Sequence, residues 1–128
     1  MKLLLDTCAF LWLLEGSVEL SQVAHDLFAD RENDIYLSAA SIWEILVKQS
    51  IGKLSLPSDT AVFLRVQREA HGIESLPMHE SAVSHLMRIP KLHKDPFDRM
   101  LICQAIEHEL AILTPDPLIR QYPVQTYW

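Results

Sequence analysis

An α/β domain with a mostly parallel sheet covered on both faces is the fold class this sequence predicts, and three observations predict it. Short aliphatic runs, which read as buried strands, alternate with amphipathic stretches along the whole chain. The 128 residues, 49% of them hydrophobic, suit a single domain able to bury its own core without a disulfide or structural metal. No repeat, low-complexity segment or interdomain linker interrupts the alternation.

The elements follow in order. Lys2–Asp6 is an aliphatic run ending in an acid, expected as the first strand. Thr7–Glu15 continues without a breaker as a helix, with Asp6 or Thr7 as cap and Gly16 as its stop. Ser21–Arg31 places Val23, Leu27 and Phe28 at helical spacing, and Asp34–Ser38 is a β-prone run. Ser41 stands three before Glu44, the spacing of a capping box, ahead of a helical face of Ile42, Ile45 and Leu46 that ends near Gly52. After the Lys53–Pro57 connector, Asp59–His71 is amphipathic, with Gly72 as its stop. Ile73–Leu76 is expected as a third strand and Glu80–Arg88 as a short helix ended by Pro90. Lys91–Lys94 is a basic loop. Asp95-Pro96 starts a helix that runs to about Glu109, because proline is tolerated at the first helical position. Ala111–Thr114 is a fourth strand, Pro115 and Pro117 punctuate a turn, and Val124–Trp128 is a short terminal strand.

Composition narrows the function. Eleven basic and seventeen acidic residues give a net charge of −6, which disfavours non-specific nucleic-acid binding through phosphate neutralisation. It leaves room for a nuclease, because cations held by clustered carboxylates reverse the local sign. Cys8 and Cys103 lie in apolar stretches without metal-ligand spacing and read as small buried residues of a reducing compartment. Met1–Leu5 meets Asp6 too early for a signal peptide, and no apolar run approaches the roughly 20 residues of a membrane span. The expected location is the cytoplasm, with no membrane contact.

Most of the acids lie on polar helix faces or in loops, but Asp6, Glu44, Asp98 and Asp116 each adjoin an apolar segment. Each has an ordinary reading: Asp6 as a helix cap, Glu44 as a capping-box partner or an i,i+4 partner of Lys48, Asp98 as a first-turn acid, Asp116 as a turn residue. Together they read differently. Ligands of open parallel sheets bind outside the carboxyl ends of the strands, where the strand order reverses. If the first and fourth strands are neighbours there, four carboxylates from four elements face one crevice. Unneutralised, they would repel; Mg2+ and Mn2+ both favour such oxygen ligands.

These residues carry a family resemblance. Leu4-Leu5-Asp6-Thr7, Ser41-Ile42-Trp43-Glu44-Ile45, Asp95-Pro96-Phe97-Asp98-Arg99 and Thr114-Pro115-Asp116 resemble the successive motifs of PIN-domain proteins, closest to the VapC-type toxins of bacterial toxin–antitoxin pairs. Gly52-Lys53-Leu54 and Leu92-His93-Lys94-Asp95-Pro96 are similar to one branch of that group. The resemblance implies a three-layer α/β/α sandwich and an endoribonuclease dependent on Mg2+ or Mn2+. It also implies homodimerisation and a cognate antitoxin. It places the family's catalytic, metal-binding acids on Asp6, Glu44, Asp98 and Asp116, with Thr114 as a neighbouring hydroxyl. Asp95 is an extra acid, assigned mainly to capping.

Arg88, Lys91, His93 and Lys94 form a basic stretch ahead of the Asp95 helix and are candidate RNA-phosphate contacts at the rim, as is Arg99 unless it pairs with a carboxylate. Trp12 and Trp43 sit among aliphatic residues and are expected in the core or a dimer contact rather than as base-stacking platforms. The zinc-protease reading of His79-Glu80 fails because Val83 holds the second histidine's place, and His108-Glu109 fails because Ile112 does. Two other readings compete. A receiver-like signalling module would want paired acids at the first strand and a late lysine, yet Leu5 precedes Asp6 and no lysine follows Lys94. A catalytically idle PIN scaffold that only binds a protein partner would not require the intact carboxylate set.

Overall fold

The computed structural model describes residues 1–128. Leu3, Leu4 and Leu5 are all buried and make strand β1 (Lys2–Leu5) the middle of a five-stranded sheet. The other strands are β2 (Asp34–Ser38), β3 (Glu74–Leu76), β4 (Ala111–Leu113) and β5 (Thr126–Tyr127). Their order is β3-β2-β1-β4-β5, and every pair is parallel. Leu3 stands opposite Ile35 of β2, and Leu4 opposite Ile112 of β4.

Parallel strands need crossovers, and helices supply them: α1 (Thr7–Glu15), α2 (Gln22–Ala29), α3 (Ala39–Ser50), α4 (Thr60–Ala70), α5 (Glu80–Val83) and α6 (Pro96–His108). Successive strand residues point to opposite faces. Leu3, Leu5 and Leu37 therefore pack with Phe10 of α1, Ala24 of α2, Ile45 of α3 and Leu64 of α4. Leu4 and Ile112 face the other way, against Leu101, Ile102 and Ala105 of α6 and against Ile119. The result is the expected three-layer α/β/α sandwich. Each fully buried leucine contributes about 1.5–3 kcal/mol relative to an exposed one.

Local chemistry shifts several boundaries from the sequence reading. α3 begins at Ala39 rather than after Ser41, because the Ser38 hydroxyl at the end of β2 accepts the Ala40 N–H at 3.0 Å. Ser41 is thus inside the helix and buried, and its Oγ accepts the Thr7 hydroxyl at 2.8 Å, so no capping box forms with Glu44. The Glu80–Arg88 helix divides into α5 and a 3-10 turn, Ser84–Met87, where the Ser84 hydroxyl donates to the Ser81 carbonyl at 2.7 Å. Gly16, at φ 63°, closes α1 while the Ser17 N–H reaches back to the Trp12 carbonyl. Trp12 packs obliquely on Trp128, with ring centroids 5.8 Å apart. Trp43 is not a core residue: 62% of it is exposed. No helix is long and apolar enough to cross a membrane.

Chain order creates the place for a site. From β1 the sheet grows through β2 to β3 on one side, and only then does the chain return to add β4 and β5 on the other. The strand order therefore reverses between β1 and β4, and the crevice at their carboxyl ends is where side chains of the following turns meet.

Candidate metal and active site

Asp6 follows β1 directly. It holds the N-cap position of α1, yet its side chain caps nothing there. Its Oδ2 instead accepts the Thr114 hydroxyl at 2.6 Å, a contact between residues 108 apart in the chain. Thr114 Oγ1 in turn accepts the Asp116 N–H at 3.0 Å. One hydroxyl thus ties the carboxyl end of β1 to the turn after β4. Asp6 is 5% exposed, and burial pushes its carboxyl above the ordinary range, opposed in part by the Thr114 hydrogen bond.

α3 and α6 bring the next two acids. Glu44 lies one and a half turns into α3 and is 5% exposed. Its Oε2 accepts Lys48 Nζ at 2.8 Å; its Oε1 is buried without any partner. Asp98 lies in the first turn of α6. Burial pushes its carboxyl up to about 8, with Asp6, then Asp95, Glu44 and Asp116, adding like-charge repulsion. Asp95 caps that helix, its Oδ1 accepting the Phe97 N–H at 2.9 Å. Asp6, Glu44, Asp95, Asp98 and Asp116 line one cavity of about 240 Å3 together with Cys8 and Lys48.

His93 is also in this cluster rather than out on the loop. Its Nε2 lies 2.7 Å from Asp116 Oδ2 and 3.1 Å from Asp98 Oδ2, and its side chain is 13% exposed. Nothing local in the sequence marks it apart from Lys91 and Lys94, because its contact with Asp116 spans 23 residues. Lys48 and Cys8 line the cavity as well and were not singled out from the sequence as site residues; Lys48 was weighed only as a helix-pair partner of Glu44. Cys8's thiol is pushed well above its ordinary range by burial and by Asp6, which leaves it protonated and inert. Arg88, Lys91 and Lys94 are exposed and outside the cavity. Arg99 is half-buried and forms no ion pair, and its Nε has no partner. It does not join the acids.

The donor set fits a hard divalent cation. Its ligands would be carboxylate oxygens, and an unpartnered, buried Glu44 Oε1 beside a carboxyl held near 8 marks a place where positive charge is missing. Such oxygens suit Mg2+ or Mn2+, and the ligand atoms of Asp98, Asp116 and His93 lie within 4.8 Å of one another.

An apolar depression of about 480 Å3 lies between the N-terminal halves of α3 and α6, lined by Ala39, Ala40, Trp43, Met78, Pro96, Phe97 and Met100. Trp43 and Phe97 each immediately precede an acid of the cluster, so the two concavities share the same two helices.

Comparison with known proteins places this geometry. The chain is similar over its length to the solved VapBC2 complex from Rickettsia felis bound to promoter DNA, with 12% identity, a TM-score of 0.70, and 99% of this chain and 98% of that one covered. It is similar to VapBC-1 from nontypeable Haemophilus influenzae at 16% identity and a TM-score of 0.69, covering 99% and 97%. It also resembles FitAcB from Neisseria gonorrhoeae at 20% identity and a TM-score of 0.67, covering 98% and 96%. These likenesses establish the shared fold. Comparison with curated protein sequences finds no match. The model of the PIN domain family matches residues 3–124, a span that includes all four acids, and the chain belongs to the PIN domain family.

Proposed function

We propose that the protein is a metal-dependent endoribonuclease that acts as the toxin of a toxin–antitoxin pair. The observation that carries this reading is the convergence of Asp6, Glu44, Asp98 and Asp116 at the reversal of strand order, with one buried carboxylate oxygen left unpartnered. Family membership and the fold shared with the VapBC and FitAcB structures support it. They give a receiver-like module no support.

Mg2+ or Mn2+, when bound, supplies an activated water and neutralises charge on the phosphate. The chain's residues do the rest. Asp6, Glu44, Asp98 and Asp116 hold the cation. The Thr114 hydroxyl fixes the Asp6 carboxylate, and through the Asp116 N–H it fixes the turn that carries the fourth acid. Lys48 holds Oε2 of Glu44, which leaves Oε1 buried and unpartnered. Arg88, Lys91 and Lys94 stand on the exposed rim to hold RNA phosphates.

The cognate antitoxin inserts a cationic side chain, an arginine, among the acids, since a guanidinium binds carboxylates through two hydrogen bonds and remains charged. The net charge of −6 favours a basic inhibitor and makes the association salt-sensitive. The protein works as a homodimer, with exposed Trp43 and its apolar depression among the surfaces to be covered.

The test is cleavage of RNA by purified protein with Mg2+ or Mn2+, and again in chelator. Cleavage is expected only with metal, and Asp6→Asn is expected to lower it by orders of magnitude while the fold persists. Equal cleavage by wild type and Asp6→Asn would overturn the assignment. No cleavage by either, with antitoxin binding retained, would favour the idle scaffold.

A further inference from the structure

We infer that His93 is a positioning residue, which holds Asp98 and Asp116 in one fixed geometry for the cation and does not itself ligate it. The inference deepens the metal-site reading above and rests on it. His93 has three neighbours in the site. Its Nδ1 accepts the backbone N–H of Asp95 at 3.1 Å. With that lone pair engaged, the ring N–H is on Nε2, which donates to Asp116 Oδ2 at 2.7 Å and lies 3.1 Å from Asp98 Oδ2.

The three groups His93, Asp98 and Asp116 have ligand atoms close enough to share one ion. A nitrogen that carries hydrogen has no lone pair to give, however. As a ligand, His93 would have to move its proton to Nδ1, which would then face the Asp95 N–H donor to donor. The backbone of α6's first turn therefore selects the donor role. In that role the imidazole donates to Asp116 and lies against Asp98, so one ring sets the positions of both carboxyl groups, as the hydrogen-bond partners of metal ligands do in other sites.

The ring is itself held. Tyr122 is 4% exposed, and its hydroxyl oxygen accepts the backbone N–H groups of Leu92 at 3.1 Å and His93 at 2.8 Å. The two bonds to Tyr122 fix the His93 loop against the turn that leads into β5, and the Asp95 N–H holds the ring within that loop. Preorganisation of this kind matters because misplacement of a ligand by a fraction of an ångström weakens the site.

The experiment uses full-length protein and Mn2+ alone. Titration calorimetry should show His93→Ala binding Mn2+ about 10–100-fold more weakly than wild type, with an unchanged circular dichroism spectrum. His93→Gln, which restores an N–H donor at about the same reach, should recover most of that loss. Tyr122→Phe, outside the acid cluster, should shift affinity in the same direction. In metal-free protein, long-range proton–nitrogen correlation spectra should show the His93 ring proton on Nε2. In Mn2+-loaded protein, pulsed EPR should show no nitrogen bound directly to the ion. Wild-type Mn2+ affinity in His93→Ala, a ring proton on Nδ1, or a directly bound imidazole nitrogen would each overturn the inference. RNA cleavage is read separately. If wild type binds Mn2+ but cuts no RNA, the nuclease reading fails while the role of His93 stands.

Discussion

Asp98→Asn should stabilise the metal-free protein, by an amount that depends on pH in a defined direction. The Asp98 carboxyl, ordinarily near 4, is held up to about 8 by burial and by the acids around it. Because the folded-state value lies above the unfolded one, the neutral carboxyl favours folding fully below about pH 4. That relative advantage is lost as the pH climbs through about 8. The difference between the two values corresponds to a ceiling of roughly 5–6 kcal/mol at high pH. Solvent reaches the mouth of the cavity, and screening there reduces the expected effect to about 2 kcal/mol. For a chain of 128 residues that is about 7 °C in melting temperature. Differential scanning calorimetry in chelator, on wild type and Asp98→Asn across pH 4 to 8.5, measures it; these settings are about the span of the titration. Melting curves should nearly coincide at the acid end and separate toward the alkaline end, with the variant higher. The variant also loses the repulsion between Asp98 and Asp6, Asp95, Glu44 and Asp116, which is part of the shift already counted and acts in the same direction. Excess Mn2+ should reverse the order, because wild type gains linked stability from the ion and the variant gains little. A difference that is flat with pH, or that grows toward acid, would refute the placement of Asp98 among mutually repelling buried acids.

Other expectations follow from single contacts. Thr114→Val removes the hydroxyl between Asp6 and Asp116 at nearly constant volume; it should cut metal-dependent cleavage at least tenfold and weaken Mn2+ binding, measured by calorimetry on the folded variant. Leu4→Ala, in the sheet's central strand, should cost about 2–5 kcal/mol in urea unfolding, whereas Val18→Ala, at a residue 98% exposed, should change stability by less than about 0.5 kcal/mol. Sedimentation at micromolar concentration should give twice the chain mass, and Trp43→Glu should shift it toward the monomer if the apolar depression belongs to the interface. On the proposed toxin reading, neutralising a cognate antitoxin's basic residues one at a time should identify a position at which inhibition is lost, and raised metal concentration should relieve inhibition by the unmodified antitoxin.

The sequence was most legible where one residue type has one structural use. Buried aliphatic runs located β1, β2 and β4, and Asp95-Pro96 located the start of α6, because few other conformations accept those residues. Asp6 and Asp116 could be placed at strand ends from the alternation alone, although their meeting required β1 and β4 to be neighbours, which the chain order leaves open. The start of α3 was misjudged because two serines, Ser38 and Ser41, compete for the cap; only packing against Thr7 decides which becomes interior. His93 and Tyr122 were illegible as a pair for a related reason. A histidine in a basic loop and a tyrosine near the end of the chain carry no local pattern, and 29 residues separate the His93 amide from the hydroxyl oxygen that holds it.

The contact between Asp6 and Thr114 has a consequence for synthesis. Asp6 leaves the ribosome well before its partner hydroxyl, which is made 108 residues later. β1 can pair with β2 early, but its other edge stays open until Ala111–Leu113 emerge. Translation at about 5–20 residues per second separates these events by several seconds. By the end of that interval the nascent chain carries three of the acids, Asp6, Glu44 and Asp98, without the fourth and without the strand that fixes the first. A site built this way is incomplete while the chain is being made and forms in one late step, when β4 closes against β1. Ribosome-stalled chains ending before Ala111 should therefore bind no Mn2+ at the site.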